Sequence, residues 1–161
     1  MKYIATILAM GWALIVPAQV FSPNGKVEWR EKADGYAVVY HDGNSECEVL
    51  DITDVGILMK DGGGKDLKLK SKMPVKAVKD SYTMIGGKRR ECSNEANETT
   101  YLYIDNIGRQ QSLTVRAYND GVAFHYALDG LQHTRPTEEL TTYRIPEGTK
   151  RWMQKWTEPY E

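Results

Sequence analysis

The sequence predicts an all-β chain, a sandwich of packed antiparallel sheets. Apolar and polar residues alternate at period two in stretch after stretch, and clusters rich in Gly, Asn, Asp and Pro punctuate them every several residues. Beyond residue 18, no segment places its apolar residues at the 3.6 period of a helix.

The most regular stretch is SLTVRAYNDGVAFHYAL, Ser112 to Leu128. Leu113, Val115 and Ala117 alternate with Thr114, Arg116 and Tyr118, then Val122, Phe124, Tyr126 and Leu128 alternate with Ala123, His125 and Ala127. Asn119, Asp120 and Gly121 stand between, and an Asp-Gly pair supplies the positive φ angles of a two-residue type I′ hairpin turn. With Asp120 and Gly121 at the tip, the expected pairs are Tyr118 with Ala123, Ala117 with Phe124, Arg116 with His125 and Val115 with Tyr126. One face then gathers Leu113, Val115, Ala117, Phe124, Tyr126 and Leu128 for a core between sheets. The other presents Arg116 against His125, which suits plain solvated surface or an anion or sugar hydroxyl.

From the start of the chain, MKYIATILAMGWALIVPAQ places Lys2 before an apolar run from Ile4 to Val16, with Pro17 and Ala18 ahead of Gln19. This reads as a secretory signal peptide, residues 1–18, because the apolar run is too short for a comfortable membrane span; an uncleaved anchor is the alternative. Residues 19–161 are then expected to be secreted or periplasmic, with no membrane in the mature form. They suffice for one core, since a domain near 150 residues buries about 70% of its unfolded surface. Composition is 41% hydrophobic and 27% charged with a formal net charge of −1, so no basic excess points to nucleic acid or anionic lipid.

Ser22, Pro23, Asn24 and Gly25 form a turn that feeds the strand KVEWRE. Gly35 to His41 is a second strand, and Cys47 to Ile52 with Val55 to Met59 a third with a break. The tract KDGGGKD reads as a flexible loop. Leu67 to Ser71 and Ala77 to Ile85 are weaker strands separated by Pro74, and the polar run Lys88 to Thr99 reads as a loop. Strand patterns return in TTYLYID, in the hairpin, and in ELTTYRIP from Glu139. Asn97, Glu98 and Thr99 form a glycosylation-type sequon of the kind chance supplies.

Cys47 and Cys92 are either bridged, closing a loop that chain entropy values at about 4 kcal/mol, or two free buried thiols. Neither has a metal-type spacing, and His41, His125 and His133 share no motif. No nucleophile elbow, phosphate loop or zinc spacing occurs. The tail IPEGTKRWMQKWTEPYE sets Trp152, Trp156 and Tyr160 beside Glu158 and Glu161. Such rings stack on the C–H faces of sugars while carboxylates bond the hydroxyls, so Trp152, Trp156 and Tyr160 are candidate carbohydrate-binding residues; the same rings also suit a core or an interface. Residue types alone give no complete catalytic set.

The segment SLTVRAYNDGVAFHYAL resembles the signature hairpin of glycoside hydrolase family 97, with a basic residue, an aromatic and Asn-Asp-Gly before an apolar strand containing Phe. The signal peptide, the Ser-Pro-Asn-Gly opening and the ending, a Trp and then Tyr160-Glu161, are similar too. The resemblance implies the amino-terminal β-super-sandwich, galactose-mutarotase-like in shape, of a secreted α-glucosidase or α-galactosidase acting on an α-linked oligosaccharide. It also implies that a (β/α)₈ barrel of the same protein supplies the acid and the base or nucleophile, while this domain donates one glutamate to a calcium ion. Glu161 matches that position best and Glu158 second. Calcium takes 6 to 8 oxygen ligands, so one glutamate does not make the site. On this view the sandwich is incomplete at its C-terminal end, inactive alone and poorly soluble because of an unpaired strand edge. The alternative is a stand-alone carbohydrate-binding sandwich that uses Trp152, Trp156 and Tyr160 without catalysis. Another is a sugar epimerase of the mutarotase type, for which His125 is the one histidine plausibly placed.

Overall fold

The structure, a computed structural model, describes residues 19–150 together with Trp152, Lys155 and Glu158. The proposed signal peptide, Trp156, Tyr160 and Glu161 lie outside the described residues. The described elements are all strands: β1 (Val20–Phe21), β2 (Val27–Lys32), β3 (Gly35–Asp42), β4 (Ser45–Thr53), β5 (Ile57–Met59), β6 (Lys68–Lys72), β7 (Lys76–Thr83), β8 (Glu91–Ile104), β9 (Gln110–Tyr118), β10 (Gly121–Leu128), β11 (Pro136–Glu139) and β12 (Thr142–Arg144). One sheet runs β1-β2-β3-β4-β12 and the facing sheet β10-β9-β8-β6, with β7 also on β8; β5 and β11 pair apart.

The core lies between the two sheets. From the first come Val20, Trp29, Tyr36 and Ile52, and from the second Tyr101, Tyr103, Leu113, Val115 and Ala117. Period-two alternation delivers them: along β9, Gln111, Leu113, Val115 and Ala117 are buried while the residues between are half-buried. Trp29 stacks on Tyr36 at 4.6 Å between ring centres, and Tyr36 tilts against Tyr101 at 5.0 Å. Burying rings of this size dominates the energy of a core, at roughly 25 cal/mol for each Å² of apolar surface removed from water.

The hairpin forms, but with a different register. Gly121 pairs with Tyr118, Val122 with Ala117, Phe124 with Val115 and Tyr126 with Leu113, so the turn residues are Asn119 and Asp120. None of Asn119, Asp120 and Gly121 has a positive φ, so the turn is not type I′. The slip from the expected pairing is even, so every side chain keeps its expected face. Packing sets the register: Phe124 lies opposite Val115 and 5.9 Å from Trp29. Arg116 accordingly lies opposite Ala123, and His125 opposite Thr114. On its other side the Arg116 guanidinium donates to Glu98 at 2.6 Å and Asp80 at 2.9 Å.

Three further expectations are corrected. The polar run from Lys88 is a loop only to Arg90; from Glu91 the chain is in β8, which continues unbroken to Ile104, because β7 pairs its first half and β6 and β9 complete its second. Polarity misled because Lys79 and Glu95 face each other across a ribbon with both faces in water, where apolar alternation has no purpose. The broken third strand is two strands in different sheets, β4 and β5. The glycine tract after β5 is tied down rather than flexible: Met59 N–H donates to Gly63 O, Gly64 N–H to an Asp105 carboxylate oxygen and Lys65 N–H to Asn106 Oδ1. A side chain at Gly64 would place Cβ 2.0 Å from Ile57 O, so this glycine permits close backbone approach.

Cys47 on β4 is exposed and Cys92 on β8 half-buried; both are free thiols, in different sheets. Asn97 uses its side-chain amide to donate to Phe21 O at 2.7 Å, across the two sheets.

Candidate functional site

At one end of the sandwich, the β2–β3 turn, the β4–β5 link and the start of β6 surround a cavity of about 570 Å³. Its lining includes Glu31, Asp34, Tyr36, Asp66, Leu69 and Tyr103. Gly35 opens β3 where a Cβ would lie 2.1 Å from Ile52 O, so the tight β2–β3 turn at the mouth of the cavity requires glycine. Asp54 and Asp66, also in the lining, adopt left-handed backbone, which short polar side chains tolerate best after glycine.

Tyr36 and Tyr103, on facing sheets, line the cavity, and Tyr101 packs against Tyr36. The Tyr36 and Tyr103 hydroxyls are hydrogen-bonded to each other, and Tyr101 Oη donates to Glu31 Oε1 at 3.0 Å. Glu31 also pairs with Lys72, whose ammonium lies 5.1 Å from the centre of the Tyr101 ring. Burial pushes all three phenols up, Tyr103 to about 12, with Tyr36 and Tyr101 higher still. They therefore stay neutral and act as hydroxyl donors and acceptors. A pocket of neutral hydroxyls, carboxylates and leucines suits hydrogen bonding to a neutral, hydroxyl-rich ligand. Its lining holds no His, Cys or Ser, and its acidic groups are Glu31, Asp34, Asp54 and Asp66.

A second cluster lies on the outer face of the first sheet. Glu28, fully buried, accepts from Arg30 at 2.9 and 2.7 Å and lies 2.7 Å from His41 Nε2, while Arg30 also bonds Glu46. Burial pushes the Glu28 carboxyl up, but the hydrogen bonds from Arg30 and His41 outweigh it and hold the acid below its ordinary range. Every member of this cluster has a partner. It braces the sheet.

Of the tail residues singled out from the sequence, Trp152 is 88% exposed and Glu158 is exposed; Trp156, Tyr160 and Glu161 lie outside the described residues. Among the described residues no group of three or more His, Cys, Asp or Glu side chains is placed to hold a metal ion. They do not by themselves meet the needs of calcium. The cavity escaped sequence reasoning because its parts come from five separate segments. The usable signals were Gly35 opening a strand and the alternating tyrosines of TTYLYID.

A family profile described as Glycosyl-hydrolase 97 N-terminal matches residues 20–161. The chain belongs to that family. Among solved structures, it is similar to a glycoside hydrolase family 97 enzyme from Pseudoalteromonas sp. strain K8 in complex with panose, at 20% identity and a TM-score of 0.63. That likeness covers 81% of this chain and 20% of the enzyme. A beta-arabinopyranosidase is similar at 24% identity and a TM-score of 0.67, covering 81% of this chain and 22% of that one. These likenesses carry the fold, and this chain spans about a fifth of each enzyme's length. Among curated proteins, none matches this chain.

Proposed function

We propose that this family 97 domain is the amino-terminal sandwich of a secreted, calcium-dependent α-glycosidase, of α-glucosidase or α-galactosidase type, and that it helps bind the sugar and completes an active site built mainly by a (β/α)₈ barrel. The observation that carries the reading is the family match along residues 20–161, on a sandwich that spans about a fifth of the length of the matched family 97 enzyme. The two carboxylates needed for glycoside hydrolysis then belong to the barrel. Glu161, or failing it Glu158, supplies one oxygen ligand to the calcium, and the remaining ligands come from elsewhere in the enzyme.

The test is a calcium titration of the enzyme encoded by the continuous reading frame. Glu161→Gln is expected to weaken calcium at least tenfold, while Glu158→Gln leaves it unchanged. Unaltered affinity in both variants overturns the assignment.

The 88% exposure of Trp152 favours one second reading, a carbohydrate-binding sandwich that stacks sugars on Trp152, Trp156 and Tyr160. Calorimetry with maltose and melibiose separates the two: binding by the 161-residue chain that disappears in Trp156→Ala supports the module.

A further inference from the structure

One part of the molecule stands outside the sandwich. β9 joins β8 only from Ala96 onward, so the segment Glu91 to Glu95 pairs with Lys79 to Thr83 of β7 and with no other described strand. These five residue pairs form a two-stranded arm about 17 Å long, at a rise of roughly 3.4 Å per residue. Every residue from 79 to 95 is exposed except Cys92, which is half-buried. Met84 N–H donates to Arg90 O at 2.7 Å and closes the arm into a tip, residues 84–90, that reads MIGGKRR.

The tip carries two kinds of side chain, and neither kind has a place within the chain. Ile85 is fully exposed at 108%, and Met84 and Tyr82 beside it are exposed too. Lys88, Arg89 and Arg90 are exposed and have no hydrogen-bond or ion-pair partner among the described residues. The other cations nearby are all engaged: Lys76 with Glu98, Lys79 with Glu95, and Arg116 with Asp80 and Glu98. Those pairs also occupy Asp80 and Glu95, which leaves Glu91 as the one carboxylate of the arm to oppose three positive charges. The formal net charge of −1 for the whole chain hides this local excess. Gly86 and Gly87, between the apolar and the basic groups, have no atom within 4 Å of where a Cβ would stand, so nothing in the chain leans on the tip.

We propose that this arm is a peripheral docking element for a bilayer surface bearing anionic phospholipid. Met84 and Ile85 enter the boundary between acyl chains and headgroups, and Lys88, Arg89 and Arg90 lie against the phosphates. Charge chooses the partner: three unpaired cations beside an apolar end match the order of a bilayer margin, where acidic groups sit just above a hydrocarbon layer. Shape agrees. A convex tip of residues 84–90 offers far less than the roughly 800 Å² per partner of a stable protein interface, whereas fluid lipid needs no matching pocket. Tyr82, just behind the tip, is of the residue type that gathers at headgroup level.

The experiment is cosedimentation with vesicles, using the 161-residue chain and the protein of the continuous reading frame. Both should bind vesicles of phosphatidylcholine mixed with phosphatidylglycerol, with an affinity that falls as salt rises, and should bind pure phosphatidylcholine about a hundredfold more weakly. The triple change Lys88→Gln, Arg89→Gln and Arg90→Gln should lose the same factor, and Ile85→Ser about tenfold. All four side chains are exposed, so the Tm should hold in both variants, which separates lost docking from lost folding. The second measurement is the emission of Ile85→Trp relative to wild type, expected to be that of a ring in water in buffer and to shift to the blue on the anionic vesicles. No binding by the longer protein, equal binding to the two kinds of vesicle, or undiminished binding by either variant overturns the inference. Emission already shifted to the blue without lipid in the longer protein assigns the tip to the rest of that protein and overturns it. Soluble polyglutamate bound as tightly as the vesicles, with no change in Ile85→Ser, assigns the tip to an acidic protein and overturns it as well. Each of these outcomes leaves the proposed function as it stands, because lipid binding and glycoside turnover are read separately.

Discussion

Asn119 Oδ1 accepts a hydrogen bond from the backbone N–H of Asn24 at 2.9 Å, across 95 residues of sequence. It joins the two turns that the family resemblance picked out. The Ser22–Gly25 turn is already organised from within, Gly25 N–H donating to Ser22 O and Val27 N–H to Ser22 Oγ. The hairpin tip docks on a preformed turn, so the first strands and the β9–β10 pair are fixed to each other at the margin of the core.

Asn119→Ala is expected to cost about 1 kcal/mol, the net worth of one hydrogen bond, and Asn119→Asp less because an acceptor oxygen remains. Urea unfolding of the three proteins checks this. Equal midpoints for wild type and Asn119→Ala would mean the contact contributes nothing.

Glu28→Ala is expected to destabilise by roughly 3 kcal/mol, at the low end for a broken buried ion pair because Arg30 keeps Glu46. Stability should also fall in acid. The Glu28 and Glu98 carboxyls are both held below the ordinary value of 4.5 in the folded chain: for Glu28 hydrogen bonds from Arg30 and His41 overcome burial, and for Glu98 hydrogen bonds from Lys76 and Arg116 act. A depressed folded value means the contribution is present in full above the unfolded value and is lost as pH drops through the folded one. Thermal melts between pH 5 and pH 3 should therefore shift downward, and Glu28→Gln should flatten that slope.

Tyr36→Phe is expected to cost about 1–2 kcal/mol, since it leaves the buried Tyr103 hydroxyl without its partner. The double change Tyr36→Phe with Tyr103→Phe should recover most of that loss. In alkali the sign reverses from the acid limb. Burial raises the folded Tyr103 value to about 12 from an ordinary 10.0, so its contribution is complete below pH 10 and fades as pH rises toward 12. Absorbance titration of wild type and Tyr103→Phe follows it directly.

Gly64→Ala should be severe, above 2 kcal/mol, because its φ is +92° and the added carbon would meet Ile57 O and the Gln111 side-chain amide. Gln111 anchors β5 by bonding both the N–H and the C=O of Ile57, so damage there should release the strand. Faster amide exchange at residues 57–59 than at 113–117 in the variant is the expected signature.

Alternation made most strands legible, because Leu113, Val115 and Ala117 must face a core whichever register they take. What local sequence could not show was decided by tertiary partners. The turn at Asn119 answers to Asn24 rather than to the Asp-Gly signal, and the polar half of β8 is held by β7 on one side. Gly62, Gly63 and Gly64 looked like a flexible tract because close approach to Asp105 and Ile57 leaves no mark in composition. The cavity was illegible for the same reason, since Glu31, Asp66 and Tyr103 converge only after folding. The resemblance found the family because it rested on two turns that hold one another.

The most direct test of the functional account is release of nitrophenol from nitrophenyl α-glucoside and α-galactoside, measured for the 161-residue chain and for the protein of the continuous reading frame. The account predicts turnover by the longer protein and none by the 161-residue chain, because it assigns both catalytic carboxylates to the barrel. Turnover by the 161-residue chain on its own would contradict it.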